Sequence, residues 1–185
     1  MSKDDAIIIK AITLGDYSVG KTSLCNLLNN KKFVKNTKQT LGINFETVEY
    51  NLYDNKYKLY IWDTSGHERF EIILNLYIKN TKLFFLVFNH SKIKTFNILK
   101  NKLKLINEYE AEPNIILIGN IFDEKKIESE IINKFIDDNN LKYVEIDCKK
   151  KLNNDIFEKI CSFDKISNIK KKKKERDISF CNFFC

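Results

Sequence analysis

The apolar residues of this chain fall into short blocks whose spacing switches between strand-like and helix-like periods. Ile7 to Leu14 is an apolar run broken only by Lys10 and Thr13; it reads as a buried strand and leads directly into Gly15. Leu24, Leu27 and Leu28 then recur at helical spacing, which predicts a helix from about Lys21. Phe45 to Tyr53 and Tyr57 to Asp63 alternate apolar and polar residues, and Asp54-Asn55 between them is a hairpin signal. Leu83 to Phe88 and Ile115 to Ile118 are continuous apolar runs, the pattern of central parallel strands covered on both faces. Between these two runs, Ile98, Leu99, Leu103, Leu105 and Ile106 mark a helix. A helix over about Ile127 to Asp138, a strand from Tyr143 to Ile146 and a helix from about Asn154 complete the series. From about Ile169 the periodicity gives way to a charged tail. This alternation predicts an open α/β sheet with ligand loops at the carboxyl ends of its strands.

Composition narrows the picture. A chain of 185 residues fits one domain plus a tail, and such a domain buries roughly 70% of its unfolded surface. The net charge of +7 would point to nucleic acid if it were spread over the fold. Much of it sits instead in Lys170 to Lys174 and Arg176, so no nucleic-acid partner is expected. No block reaches the ~20 apolar residues that span a bilayer. The polar start, Met1 to Asp5, has the pattern of neither a secretory signal nor a myristoylation site. Cys25, Cys148, Cys161, Cys181 and Cys185 show no metal or disulfide spacing, which fits a reducing compartment.

Glycine is scarce, and its placement is informative. All five glycines, Gly15, Gly20, Gly42, Gly66 and Gly119, fall in segments that read as nucleotide-handling loops. Gly15-Asp16-Tyr17-Ser18-Val19-Gly20-Lys21-Thr22, with Ser23 next, satisfies the G-x-x-x-x-G-K-[ST] phosphate-binding loop and has the required strand before it and helix after it. In such a loop the backbone N–H groups and a helix N-terminus face the phosphates, lysine reaches the β/γ-phosphates and the threonine hydroxyl ligates Mg²⁺. Trp62-Asp63-Thr64-Ser65-Gly66 ends an apolar strand, where Asp63 can hold Mg²⁺ through water and the Gly66 amide can meet a γ-phosphate. Asn120-Ile121-Phe122-Asp123 follows the next central strand. A carboxylate such as Asp123 can accept two hydrogen bonds from guanine that adenine does not offer, each worth about 1.5–3 kcal/mol.

Taken in this order, the three motifs resemble those of Ras-superfamily small GTPases, and among them the Rab family. The likeness covers about residues 6 to 165. Thr40-Leu41-Gly42-Ile43-Asn44-Phe45 is similar to the Rab first switch, and Lys58 through Phe70 (KLYIWDTSGHERF) to the second. The resemblance implies a single P-loop GTPase domain over residues 1–168, with a six-stranded, mostly parallel sheet and about five flanking helices, and a flexible membrane-targeting tail over 169–185. It implies GTP or GDP as bound nucleotide, with Mg²⁺ held by Thr22, Thr40 and Asp63. Phe33 would stack on the guanine, Asn120, Asp123, Cys148 and Lys149 would bind its edge, and Lys21, Gly66 and His67 would occupy the catalytic positions. Phe45, Trp62 and Tyr77 fall on the aromatic patch that meets effectors. Effector, exchange-factor and activating proteins at the switches are the implied partners. The implied location is the cytosolic face of an endomembrane or vesicle, with a soluble pool.

Several positions depart from the family pattern. His67 stands where the family has the glutamine that orients the attacking water, and Tyr17 where it has a small residue beside the γ-phosphate. Ile121 replaces the lysine of the guanine motif, and Asp147-Cys148-Lys149 stands in place of Ser-Ala-Lys, with Asp147 expected near Asp123. These changes favour slow hydrolysis, and leave open a nucleotide-bound scaffold with almost none. A P-loop kinase is disfavoured, because no acceptor-binding insertion is visible. In the tail, Cys181 and Cys185 are the candidate lipidation sites, Cys185 first; Asn182 stands where a C-a-a-X signal needs cysteine. A prenyl chain beside a polybasic run can hold to an anionic membrane, which also implies prenylation escort and extraction proteins. His90 is expected to be a satisfied or exposed histidine and Cys25 and Cys161 small core residues.

Overall fold

The computed structural model describes residues 6–35, 38–52 and 55–150. Six strands form one sheet in the order β2-β3-β1-β4-β5-β6. They are β1 (Ile7–Leu14), β2 (Ile43–Leu52), β3 (Asn55–Thr64), β4 (Leu83–Asn89), β5 (Asn114–Asn120) and β6 (Lys142–Ile146). Only the β2–β3 pair is antiparallel; every other pairing is parallel. Five α-helices accompany them among the described residues: α1 (Lys21–Leu28), α2 (Glu71–Ile78), α3 (Ile93–Asn97), α4 (Leu99–Tyr109) and α5 (Ser129–Asn139). The expected six-stranded, mostly parallel α/β fold is therefore present.

The continuous apolar runs became the centre of the sheet. All seven residues of β4 are buried, and β5 is buried from Ile115 to Asn120. Ile12, Leu14, Phe84, Leu86, Phe88, Ile115 and Leu117 form one core with Leu74 and Ile78 of α2, Leu99, Leu103 and Ile106 of α4, and Ile132 and Phe135 of α5. Side chains alternate along each strand, so Ile9, Ala11, Thr13, Phe85 and Val87 turn to the opposite face and are buried too. Burying each large apolar side chain contributes about 1.5–3 kcal/mol.

Parallel pairing brings the carboxyl ends of β1, β3, β4 and β5 to one edge. The β1–β3 register sets Thr13 beside Asp63, and the β4–β5 register sets Asn89 beside Asn120. The loops after these strands must then share one surface.

Two helices were not marked by the apolar pattern. In α2, six of eight residues are apolar, so no single face stands out in the sequence. Only Leu74 and Ile78 are buried, while Ile72 and Leu76 remain 83% and 73% exposed. The helix marked by Ile98 to Ile106 is α4, which begins at Leu99; the five-residue α3 that precedes it, with Ile98 between them, had no mark in the sequence. The hairpin tip, the expected helix from Asn154, Cys161, the lysine run, Cys181 and Cys185 lie outside the described residues.

Candidate functional site

The loop between β1 and α1 turns through left-handed backbone at Ser18 (φ 57°) and Gly20 (φ 96°). Gly20 has no room for a side chain, because a Cβ there would lie 2.1 Å from Asn120 Nδ2. Helix α1 then starts at Lys21 with no side-chain cap and no acidic residue in its first turn. Its leading N–H groups and positive dipole end are left for an anion. Lys21 is only 6% exposed, and its ammonium folds across the loop to the carbonyls of Gly15 (3.2 Å) and Asp16 (2.7 Å). Burial pulls its pKa down to about 8, partly opposed by Asp63 and then Asp16.

Beside Lys21, three oxygens converge. Thr22 Oγ1 donates to Asp63 Oδ2 at 2.7 Å and lies 3.0 Å from Thr40 Oγ1, which is 3.4 Å from the same carboxylate oxygen. Asp63 is 1% exposed. Burial raises its pKa, while the Thr22 hydrogen bond, the Lys21 charge and bonds from Thr13 and Thr40 lower it. Two hydroxyls and one carboxylate, next to a helix start with no side-chain cap, fit Mg²⁺. That ion uses hard oxygen donors, takes few carboxylates and keeps places for water and phosphate. In agreement with so sparse a protein ligand set, no cluster of three or more His, Cys, Asp or Glu is found among the described residues.

One cavity is lined by Tyr17, Ser18, Gly20, Lys21, Thr22, Ser23, Thr40 and Gly66. Thr64 and Ser65 of the second motif line it as well, together with Lys38 and Gln39, which no sequence motif had singled out. Gly66 lies against the P-loop, where a Cβ would come 2.3 Å from the Tyr17 nitrogen. Two of the departures noted in the sequence meet there: the Tyr17 and His67 rings are 4.7 Å apart with planes tilted by 31°. Asp16 accepts a hydrogen bond from the Tyr17 N–H at 2.7 Å. Val19 is fully buried, and its carbonyl accepts from Asn120 Nδ2 at 3.0 Å, tying the phosphate loop to the end of β5.

The base-loop residues also gather at this edge. Asn120 is buried, and its Oδ1 has no hydrogen-bond partner among the described residues. Asp123 is exposed and paired with Lys149 Nζ at 3.1 Å; the same ammonium reaches the Phe122 carbonyl. Asp147 accepts from the Lys149 N–H at 3.0 Å and lies 3.6 Å from Lys150 Nζ, so cations accompany both carboxylates. Cys148 is buried, which pushes its thiol up to about 12; a hydrogen bond with Asn120 acts in the opposite direction. Phe33 is half-buried in the irregular segment after α1 and does not line the phosphate cavity.

Further out, Phe45 (54% exposed) packs edge-on against Trp62 at 5.0 Å, and Trp62 lies 6.2 Å from Tyr77. The three aromatic residues thus form a continuous row across β2, β3 and α2. Outside the site, His90 is buried, with Nε2 2.7 Å from the Tyr143 hydroxyl, and Cys25 is buried on α1. Thr13 had not been considered as a site residue. It carries the one hydroxyl in the apolar β1 run, and a buried hydroxyl requires a partner. That partner is Asp63.

Comparison with known proteins agrees with this geometry. Residues 10–166 match the Ras family. The chain is 34% identical over 139 residues to GTP-binding protein yptV5 of Volvox carteri, covering 72% of this chain and 68% of that protein. It is 35% identical over 116 residues to mouse Ras-related protein Rab-12, covering 62% of this chain and 48% of that protein. It is 37% identical over 121 residues to pea Ras-related protein Rab7, covering 63% of this chain and 59% of that protein. The chain thus spans about half to two thirds of the length of these relatives. These matches make the chain a divergent member of the Rab branch of the Ras family of small GTPases.

Proposed function

We propose that the chain binds GTP and GDP with Mg²⁺, hydrolyses GTP slowly, and acts as a membrane-associated switch in vesicle trafficking. The observation that carries this reading is the convergence of Thr22, Thr40 and Asp63 beside the buried Lys21. When phosphate enters, the Lys21 ammonium exchanges the Gly15 and Asp16 carbonyls for phosphate oxygens, and the free N–H groups at the start of α1 complete the cradle. Mg²⁺ held by Thr22, Thr40 and Asp63 would neutralise charge developing on the phosphates. Thr40 lies in the first switch segment, so its approach to Asp63 supports a role in reporting the nucleotide state. Asp123 recognises guanine, with Asn120, Cys148 and Lys149 shaping the base loop.

Slow turnover is supported by the Tyr17–His67 contact. A phenol and an imidazole packed together occupy the space where water is oriented and where an activating protein's arginine would enter. The same contact favours a second reading, a nucleotide-loaded Rab-fold scaffold that recruits effectors with almost no hydrolysis. The Phe45–Trp62–Tyr77 row is the surface for such partners. Membrane attachment belongs to the tail from residue 169, through prenylation at Cys185 or Cys181 and attraction of its lysines to anionic lipid. Escort and extraction proteins would then move the chain between cytosol and endomembrane.

The deciding experiment identifies the nucleotide that co-purifies with the protein and follows phosphate release in a single turnover. GDP with measurable release supports the cycling switch, and GTP with none supports the scaffold. An empty protein that takes up neither GTP nor GDP would overturn both.

A further inference from the structure

We propose that Thr13 is a positioning residue that holds Asp63 in the orientation needed to bind magnesium. The inference rests on the Mg²⁺-nucleotide reading above. Thr13 lies in β1, one residue before the strand's end, and is fully buried. Its hydroxyl donates to Asp63 Oδ1 at 3.2 Å and accepts from the Thr64 N–H at 3.3 Å. The Thr64 hydroxyl donates back to the Thr13 carbonyl at 2.6 Å. These three bonds lace the ends of β1 and β3 together where the register already sets Thr13 beside Asp63.

The directions of these bonds follow from the donor inventory. An amide can only donate, so the Thr64 N–H fixes Thr13 Oγ1 as its acceptor. The single Thr13 hydroxyl proton is then free for the carboxylate, which can only accept when ionised. Asp63 is thereby held from behind at Oδ1, while Oδ2 faces Thr22 and Thr40. A carboxylate tied at one oxygen cannot rotate without breaking a charge-assisted bond. Its second oxygen therefore stays aimed at the metal position. An aliphatic side chain at position 13 would fill the same volume but leave Oδ1 buried without this donor.

The test measures release of fluorescent GDP from the full chain as a function of free Mg²⁺. Thr13→Val removes the hydroxyl at nearly constant volume, and Thr13→Ser restores it. The Mg²⁺ concentration giving half-maximal retention of GDP should rise about tenfold in Thr13→Val, as expected for losing one hydrogen bond to a charged group. It should return towards wild type in Thr13→Ser. With the metal chelated, release from Thr13→Val should equal that of wild type. Thr13→Cys, similar in size with a weak donor, gives the same comparison if the valine variant does not fold. Equal Mg²⁺ midpoints in wild type and variant would overturn the proposal. So would release accelerated by the same factor at every Mg²⁺ concentration, chelated samples included, because that marks a purely structural hydroxyl. Wild-type protein that binds no guanine nucleotide would instead overturn the functional reading itself.

Discussion

At the phosphate end of the site, Thr13, Asp63, Thr22 and Thr40 are buried or half-buried and joined by hydrogen bonds, and the buried Lys21 is held by the Gly15 and Asp16 carbonyls. At the base end, Asp123 is exposed and, among the described residues, pairs with Lys149, and the buried Asn120 Oδ1 has no partner among them. The phosphate end comes from three consecutive structural events, a strand, a tight loop and an uncapped helix, reinforced by the neighbouring strand β3. The base end is assembled from the loops after β5 and β6, whose side chains reach one another across the surface. A preorganised polar network acts in low dielectric and loses much when any member is removed. An exposed pair is screened by water and contributes little by itself. Damage at the phosphate end should therefore remove binding, whereas damage at the base end should change selectivity.

The largest effect should come from the rings that cover the phosphate end. An arginine finger contributes about 10³–10⁵ to GTP hydrolysis, so relieving an obstruction outweighs improving the orientation of water. His67→Gln alone leaves Tyr17 in place and should raise stimulated turnover little. Tyr17→Ser combined with His67→Gln should raise it by about 10²-fold or more. Single-turnover phosphate release with a Rab-type activating domain reads this directly. Wild-type turnover equal to that of the double variant would show that the Tyr17–His67 pair obstructs nothing.

Next in size is Lys21→Ala. It removes a buried ammonium and leaves the Asp63 charge poorly compensated, so GTP and GDP affinity should both fall by about 10²-fold. Asp123→Ala is the matching change at the base end. It should weaken GTP by about tenfold while leaving ATP nearly unaffected, so that selectivity shrinks. Competition of GTP and ATP against a fluorescent GDP distinguishes the two outcomes. Equal loss of both nucleotides in Asp123→Ala would dissolve the contrast between the two ends.

The same contrast explains what could be read from sequence. Lys21 and Thr22 were legible because a strand, a set number of loop residues and a helix leave one geometry, and Asp63 because it ends an apolar strand. The central strands were legible because β4 and β5 are apolar throughout. Contacts between distant segments were not. Asp147 was expected near Asp123; the contact that could not be read is that of Lys149, whose side chain pairs with Asp123 while its backbone N–H meets Asp147. The Tyr17–His67 contact joins residues fifty positions apart, on loops that follow the paired strands β1 and β3. Helix α2 escaped because its apolar residues are not confined to the buried face, so they obscure the period that marks a packed helix.

The smallest expected effect lies behind the base end, at His90. Its N–H is bonded to the Asn120 carbonyl and its own carbonyl to the Lys126 N–H, so the base loop hangs from this residue. The Tyr143 hydroxyl donates to Glu145 Oε1 at 3.1 Å and meets His90 Nε2 at 2.7 Å. If the phenol proton goes to Glu145, Nε2 must carry the imidazole proton, and the buried Nδ1 has no partner among the described residues. Burial lowers the His90 pKa; Glu145, 3.6 Å away, opposes this and Lys125 adds to it. With the folded pKa below the unfolded value of about 6.5, the unfolded chain binds the extra proton first. His90 therefore contributes its full stability above that pH and loses it as the pH falls below, down to the folded pKa. One group can change stability by at most about 1.4 kcal/mol per pH unit. His90→Gln keeps a donor within reach of Tyr143 but cannot titrate. Urea unfolding of nucleotide-loaded protein should show the wild type losing more stability than this variant between about pH 7 and pH 5.5. Equal losses would mean that His90 has the same proton affinity folded and unfolded, and that the base loop hangs from a histidine indifferent to pH.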